Sequence, residues 1–235
     1  MLRRHGERFP QSSDVVHFAA TLKKIYAAAD NGNSNSSSTS GGWTNDLEFL
    51  NRWQYFIPDE GYVELESYTG PYSGLLSSYR LGTEYRARYG HLWNPRENKT
   101  IPMFTSEFER VVQTARKFGE GFFGWNYSTS VALNIISESP DMGANSLTPN
   151  CPGDNDTQVC DGLTNYMPQF DVAAARLKAQ NPGLDLNATD IYNLMTMAAF
   201  ELNIRGYSDW IDVFTMDEWV SFGYTQDLHF YYCAG

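Results

Sequence analysis

At 235 residues, with 42% hydrophobic and 15% aromatic side chains, the chain is long enough for one large domain or two small ones and too apolar to be disordered. Its formal net charge of -11 argues against non-specific association with nucleic acid or an anionic membrane, and no apolar run approaches membrane-spanning length. A local cluster of cations inside such a chain points instead to a small anionic ligand.

That cluster comes first. LRRHGERFP, residues 2–10, crowds Arg3, Arg4 and Arg8 around His5, and Pro10 closes the stretch. Val15, Phe18, Ala19, Leu22, Ile25 and Tyr26 then recur at helical spacing and predict a helix over 12–29. NGNSNSSSTSGG, 31–42, reads as a surface loop. Leu47 to Phe56 is apolar and aromatic and fits either helix or strand. GLLSSYRLGTEYRARYG, 74–90, predicts a helix ending near Gly90. IPMFTS, 101–106, predicts a short buried strand running into a helix. Ser106 and Glu109 mark that helix's start as a capping box, and Val111, Ala115, Phe118 and Phe122 give it an apolar face. SVALNIISES, 130–139, is the strongest strand in the chain. Residues 141–165 read as loop, and three helical stretches follow at 168–180, 188–204 and 216–232. Strand–helix units first and helices later predict an α/β fold. Its core occupies 1–140, with a helical insertion around 45–98, and a mainly helical second lobe occupies 141–235.

His5 could act as a ligand, a base or a nucleophile. Two guanidiniums beside an imidazole disfavour its cationic form and leave a lone pair for attack. The same guanidiniums bind phosphate oxygens bidentately and stay charged at any relevant pH. Metal binding fits poorly, since cations repel a metal ion and no second His or carboxylate stands at ligand spacing. Gly6 lets the backbone approach an oxyanion, and the N-terminus of the helix from residue 12 adds N–H groups. The pattern suits phosphoryl transfer to His5, with Arg4 and Arg8 stabilising the charge.

The cysteines, Cys151, Cys160 and Cys233, are odd in number and allow three pairings. Asn-X-Ser/Thr sequons occur at Asn35, Asn98, Asn126, Asn155 and Asn187. Asn155 lies between two cysteines in a polar loop, which fits an exported, glycosylated protein; a cytosolic protein with free thiols is the alternative.

Arg4-His5-Gly6-Glu7-Arg8-Phe9-Pro10 resembles the Arg-His-Gly-X-Arg-X-Pro signature of the histidine acid phosphatases, the branch of the histidine phosphatase superfamily that includes fungal phytases. Arg8 and Pro10 select this branch over phosphoglycerate-mutase-like enzymes, which share the shorter Arg-His-Gly-Glu. GPYSGLLSSYRLGTEYRARYGHLWN, FERVVQTARKFGEGFFG and WVSFGYTQDLHFYYCAG resemble secreted fungal acid phosphatases of the phytase-B type, so the likeness runs the length of the chain. The resemblance implies a histidine-phosphatase α/β core and hydrolysis of phosphate monoesters through a phosphohistidine on His5. It implies a phosphate clamp of Arg4, Arg8 and a third arginine, which by motif is Arg110 in TSEFERVV. Arg110 also stands in the first turn of a helix after a strand, where a ligand at the strand's C-terminal end is within reach; the alternative is a surface pair with Glu107.

The family's proton donor is the aspartate of a late His-Asp pair. Here His5, His17, His91 and His229 are the histidines, and none is followed by Asp or Glu. Asp227 precedes His229 inside an amphipathic helix and reads as structural; His17 reads as packing, and His91 as a helix-end residue. The resemblance therefore leads us to expect about the N-terminal half of such an enzyme. A signal peptide and one strand would precede it, and the rest of an otherwise incomplete sheet would follow. The implied partner is a phosphate monoester, with no metal or organic cofactor, no nucleic acid and no membrane. Phytate would require further cations around the pocket, and 17 Lys and Arg in the whole chain tilt the expectation to a broad acid phosphatase. Two alternatives stand beside it. One is a phosphate-binding pseudoenzyme without a general acid. The other is a glycosylated surface protein in which Arg4, Arg8 and Arg110 would not converge.

Overall fold

A computed structural model of the chain describes residues 2–33, 42–94, 96, 99–142 and 168–233. By contact, the chain forms two compact units, neither continuous in sequence. The first comprises Met1–Phe9, Ile57–Pro152 and Asn203–Gly206; the second comprises Pro10–Phe56, Gly153–Leu202 and Tyr207–Gly235. The single boundary expected at residue 140, and the insertion expected around 45–98, do not follow these units. The reason is a long-range polar contact. Thr21 and Lys24 of the first helix bond Asp190, so residues 10–56 belong with the later helices.

The first unit is a βαβ arrangement with one added helix. Strand β1 (Ile101–Ser106) and strand β2 (Val131–Ile136) pair in parallel from Ile101↔Val131 to Ser106↔Ile136. Parallel pairing requires a crossover, which the helix Glu109–Phe123 supplies. Among the described residues each strand has one ladder partner, and Phe104 and Ile135 stand more than half exposed. The expected capping box is absent. Ser106 is still in the ladder, opposite Ile136, and the helix begins three residues later after Phe108, with no side-chain cap. Its buried side chains include Val112, Thr114 and Phe123, one position or more away from the expected Val111, Ala115, Phe118, Phe122 stripe.

A second helix, Gly74–Tyr89, packs on the crossover helix at backbone contact distance. A Cβ built on Gly82 would lie 2.2 Å from the Phe118 carbonyl oxygen, and one on Gly121 would lie 2.2 Å from that of Tyr79. Any side chain at either position would push the helices apart.

The second unit is helical. Its helices are Ser12–Asn33, Pro168–Gln180, Ala188–Arg205 (Asn203–Arg205 of which lie in the first unit) and Met216–Cys233, and Leu47–Phe56, ambiguous by pattern, begins as a 3-10 helix over Asn45–Asn51. Its core holds Phe18, Ile25, Leu47, Phe170, Leu177, Ile191, Leu194 and Met195, with Trp210 fully buried edge-on against Phe49 and Trp53. Arg176 bonds both Asp46 and Glu218, so its charge is compensated. No helix among the described residues is long and apolar enough to cross a membrane. Asn126 and Asn187 are exposed. Asn35, Asn98, Asn155, Cys151 and Cys160, with most of the loops expected at 31–42 and 141–165, lie outside the described residues.

The tight helix pair yields a prediction. Gly82→Ala is expected to lower stability by about 1–3 kcal/mol, the usual penalty for overpacking, read as a lower urea midpoint.

Candidate functional site

The site is built in the first unit from the N-terminal segment. Residues 7–9 lie antiparallel to 65–67: Phe9 N–H donates to Leu65 O at 2.8 Å, Ser67 N–H donates to Glu7 O at 2.8 Å, and the backbones of Arg8 and Glu66 stand opposite each other as an isolated β-bridge. Phe9 is buried, stacks on Tyr62 with ring centroids 5.6 Å apart and meets Tyr68 in a tilted contact at 5.9 Å. Ser67 Oγ also donates to Glu7 O and receives the Gly74 N–H, while Ser77 Oγ bonds the Glu7 carboxylate. The segment before Pro10 is thus a fixed strand-like arm and not a solvated tail.

Gly6 sits at the inner edge of this arm. A Cβ there would lie 2.1 Å from Glu66 Oε1, so glycine is required. The oxygen that the Gly6 backbone approaches so closely is the protein's own carboxylate. Gly6 N–H donates to Thr114 Oγ1 at 2.9 Å.

His5 is part-buried, with Nδ1 2.7 Å from Gly6 O. A carbonyl can only accept, so Nδ1 carries the proton, and in the neutral ring the lone pair is on Nε2. Burial is the largest influence and lowers the His5 pKa below the ordinary imidazole value; the Gly6 bond opposes it; the charges of Arg110, Arg4 and Arg8 lower it further. All three arginines singled out in the sequence therefore act on His5. The two flanking ones rank behind burial and behind Arg110, which is more than a hundred residues away.

Arg110 is the second residue of the crossover helix, immediately past the end of β1. Its side chain is 12% exposed. The guanidinium carbon lies 4.5 Å from the Phe108 ring centroid, a cation–π distance. Its anionic partner is Glu64, at 3.6 Å, and not Glu107, which instead accepts the Glu138 N–H. Glu64 holds φ at 69°, a left-handed conformation unusual for a residue with a side chain. Arg4 is exposed and Arg8 part-buried, with Arg8 Nη1 donating to Phe9 O at 2.9 Å. His17 and His229, with Asp227, belong to the second unit; His17, expected to pack, is exposed, and His91 is an exposed residue at the end of the helix Gly74–Tyr89.

Glu64, Glu66, Ser78 and Thr114 are the neighbours that sequence reasoning passes over. Thr114 carried a usable signal, since it stands four residues after Arg110 and so on the same helix face. Glu66 had none: a glutamate is almost never fully buried unless paired, yet this one is 2% exposed.

The end of a strand in a parallel βαβ core and the N-terminal arm thus bring the charges of Arg110, Arg4 and Arg8 to bear on one part-buried imidazole. The chain belongs to the histidine phosphatase superfamily (branch 2), whose pattern it matches over residues 1–235. It is 38% identical to a phytase of Candida albicans over 99% of its length and 35% identical to the constitutive acid phosphatase of Saccharomyces cerevisiae over 100% of it. In each case it covers 49% of the relative. A crystal structure of the phytase from D. castellii superposes with a TM-score of 0.83 at 34% identity, covering 97% of this chain and 49% of that one. The chain thus has the fold of this family and spans about half the length of the curated relatives it matches.

The buried glutamate gives a pH prediction. Burial, the largest influence, raises the Glu66 pKa, against the opposing bonds from Thr114 and Ser78 and the charge of Arg3. A carboxyl that holds its proton more tightly when folded stabilises fully below its unfolded pKa of about 4.3 and loses that contribution as pH rises through the higher folded value. Glu66→Gln cannot ionise. The urea midpoint of the parent chain is therefore expected to fall relative to that of Glu66→Gln as pH is raised from 4 to 7.

Proposed function

We propose that the protein is an acid phosphatase that hydrolyses phosphate monoesters through a phosphohistidine on His5, with Arg4, Arg8 and Arg110 holding the phosphate. One observation carries the reading: the charges of Arg110, Arg4 and Arg8 all bear on an imidazole whose Nδ1–H is engaged, leaving Nε2 with the lone pair. A phosphate dianion placed there would be neutralised by guanidiniums that cannot lose their protons. Nε2 forms a bond to phosphorus as the ester P–O bond breaks, and the leaving alcohol takes up a proton from solvent. Water then attacks phosphorus as the P–N bond breaks, its proton returns to solvent, and inorganic phosphate and the neutral ring are released. The depressed His5 pKa keeps the nucleophile neutral further into the acid range than an ordinary imidazole.

Substrate breadth follows from the charge count. The whole chain carries only 17 Lys and Arg, a small stock from which to supply the further cations phytate would require, which favours small monoesters. Export and glycosylation fit the exposed sequons at Asn126 and Asn187. A second reading is a phosphate binder without hydrolysis, since the charges of Arg110, Arg4 and Arg8 could hold a phosphate whether or not His5 attacks it.

Two esters separate these readings. p-Nitrophenolate leaves readily without a proton donor, whereas an alkoxide does not. The expected result is cleavage of p-nitrophenyl phosphate at acid pH that is abolished in His5→Ala, with glycerol phosphate cleaved far more slowly. Arg110→Ala is expected to weaken inorganic phosphate binding on the order of tenfold to a hundredfold, the worth of one charged hydrogen-bonding group, read by calorimetry. Phosphate binding without cleavage of either ester supports the second reading, and neither binding nor cleavage by the folded chain overturns both.

A further inference from the structure

We propose that Glu66 is a positioning residue for His5, acting through the Thr114 hydroxyl and the Gly6 backbone to hold the imidazole with Nδ1 protonated and Nε2 presented. The inference rests on the phosphohistidine reading above and deepens it.

The hydrogen bonds have a forced direction. Glu66 Oε1 accepts from Thr114 Oγ1 at 2.8 Å and from Ser78 Oγ at 2.9 Å. Thr114 has one hydroxyl proton, and it is spent on Glu66, so Thr114 Oγ1 can only accept from Gly6 N–H. Gly6 O in turn accepts from His5 Nδ1. The chain of bonds runs from the carboxyl through the hydroxyl to the Gly6 amide, and from the Gly6 carbonyl to the imidazole. Glu7 O, one residue on, is fixed separately by Ser67 N–H and Ser67 Oγ. Gly6 is thus held on both sides, and its own conformation is set by the Glu66 oxygen that fills the place of a side chain.

Packing alone does not account for Glu66. Its Oε2 is buried and makes no hydrogen bond, and Arg3, whose charge acts on it, has a buried Nη1 in the same state. A buried polar atom without a partner is costly, and an apolar residue of similar volume would remove the cost. What an apolar residue could not do is accept the Thr114 proton and so leave the Thr114 oxygen open to Gly6. Ser78 provides the internal control. It bonds the same oxygen from the helix Gly74–Tyr89, and no bond of the Gly6–His5 linkage passes through it.

The test reads the His5 ring directly in the full chain labelled with 15N-histidine and free of phosphate, with the His5 signals assigned by their loss in His5→Ala. The parent is expected to show the Nδ1–H tautomer with a hydrogen-bonded Nδ1 proton. Thr114→Val, which keeps the side chain's shape, is expected to lose that preference; Thr114→Ser is expected to restore it; Glu66→Gln, which keeps an acceptor, is expected to retain it. Ser78→Ala is expected to leave the His5 signals unchanged even where it lowers stability. Where hydrolysis is measurable, Thr114→Val is expected to reduce kcat roughly tenfold to a hundredfold, the usual penalty for a misplaced reacting group, with Ser78→Ala near the parent value. Parent-like His5 signals in folded Thr114→Val, or equal changes in Thr114→Val and Ser78→Ala, would overturn the proposal. An Nε2–H tautomer in the parent would do so without any variant. These readouts need no turnover, so a failed phosphatase reading appears in the ester and phosphate assays and not here.

Discussion

A carboxylate oxygen of Glu66 occupies the space where residue 6 would carry a side chain, and the first unit is arranged around that crowding. It allows only glycine at position 6, draws Thr114 and Ser78 inward from two helices, and lets the arm 7–9 lie flat along 65–67. The two helices reach the carboxylate together because Gly82 and Gly121 bring their backbones into contact. Widening that contact would withdraw Thr114, loosen the Gly6 amide and free the imidazole beyond it. Stability and site geometry therefore depend on the same few atoms, and the unpartnered Oε2 is a cost the fold tolerates at this node.

Charge supplies the second constraint. The chain carries a formal net charge of -11, so an anionic ligand would depend on a local gathering of guanidiniums. Arg4 and Arg8 arrive with the arm, and Arg110 arrives with the turn after β1, aimed by Glu64 and by the Phe108 ring. A strained backbone at Glu64 beside this arginine follows a recurring pattern in which local strain is concentrated where geometry matters most. The same three charges that, under the proposed function, would hold a dianion also oppose a proton on His5, so one electrostatic arrangement would serve both ends.

Elements with strong periodicity were legible in the sequence. The strand 101–106 and the helix 168–180 stand where their apolar patterns predict, and the other helices end within a few residues of expectation. The start of the helix Glu109–Phe123 was misplaced because Ser106 and Glu109 mimic a capping box, while pairing with Ile136 holds Ser106 in the strand. The grouping of Ser12–Asn33 with the later helices rests on a Thr21–Asp190 bond spanning 169 positions, which no local pattern encodes. The site divides in the same way. His5 and its flanking arginines are contiguous and conspicuous, and Arg110 is picked out by the resemblance of TSEFERVV, with which its place after a strand agrees. Glu66 and Thr114 meet across 48 positions, and in the sequence Glu66 is indistinguishable from a surface glutamate.

The proposed function requires His5 Nε2 to be the phosphoryl acceptor. The most direct test is to mix the chain with p-nitrophenyl phosphate at acid pH, quench with alkali, which preserves phosphohistidine, and map the adduct by mass spectrometry. The expected result is a phosphoryl group on the peptide carrying His5, attached at Nε2 and absent from His5→Ala. Nitrophenol release with the phosphoryl group on another residue, or at Nδ1 of His5, would contradict it.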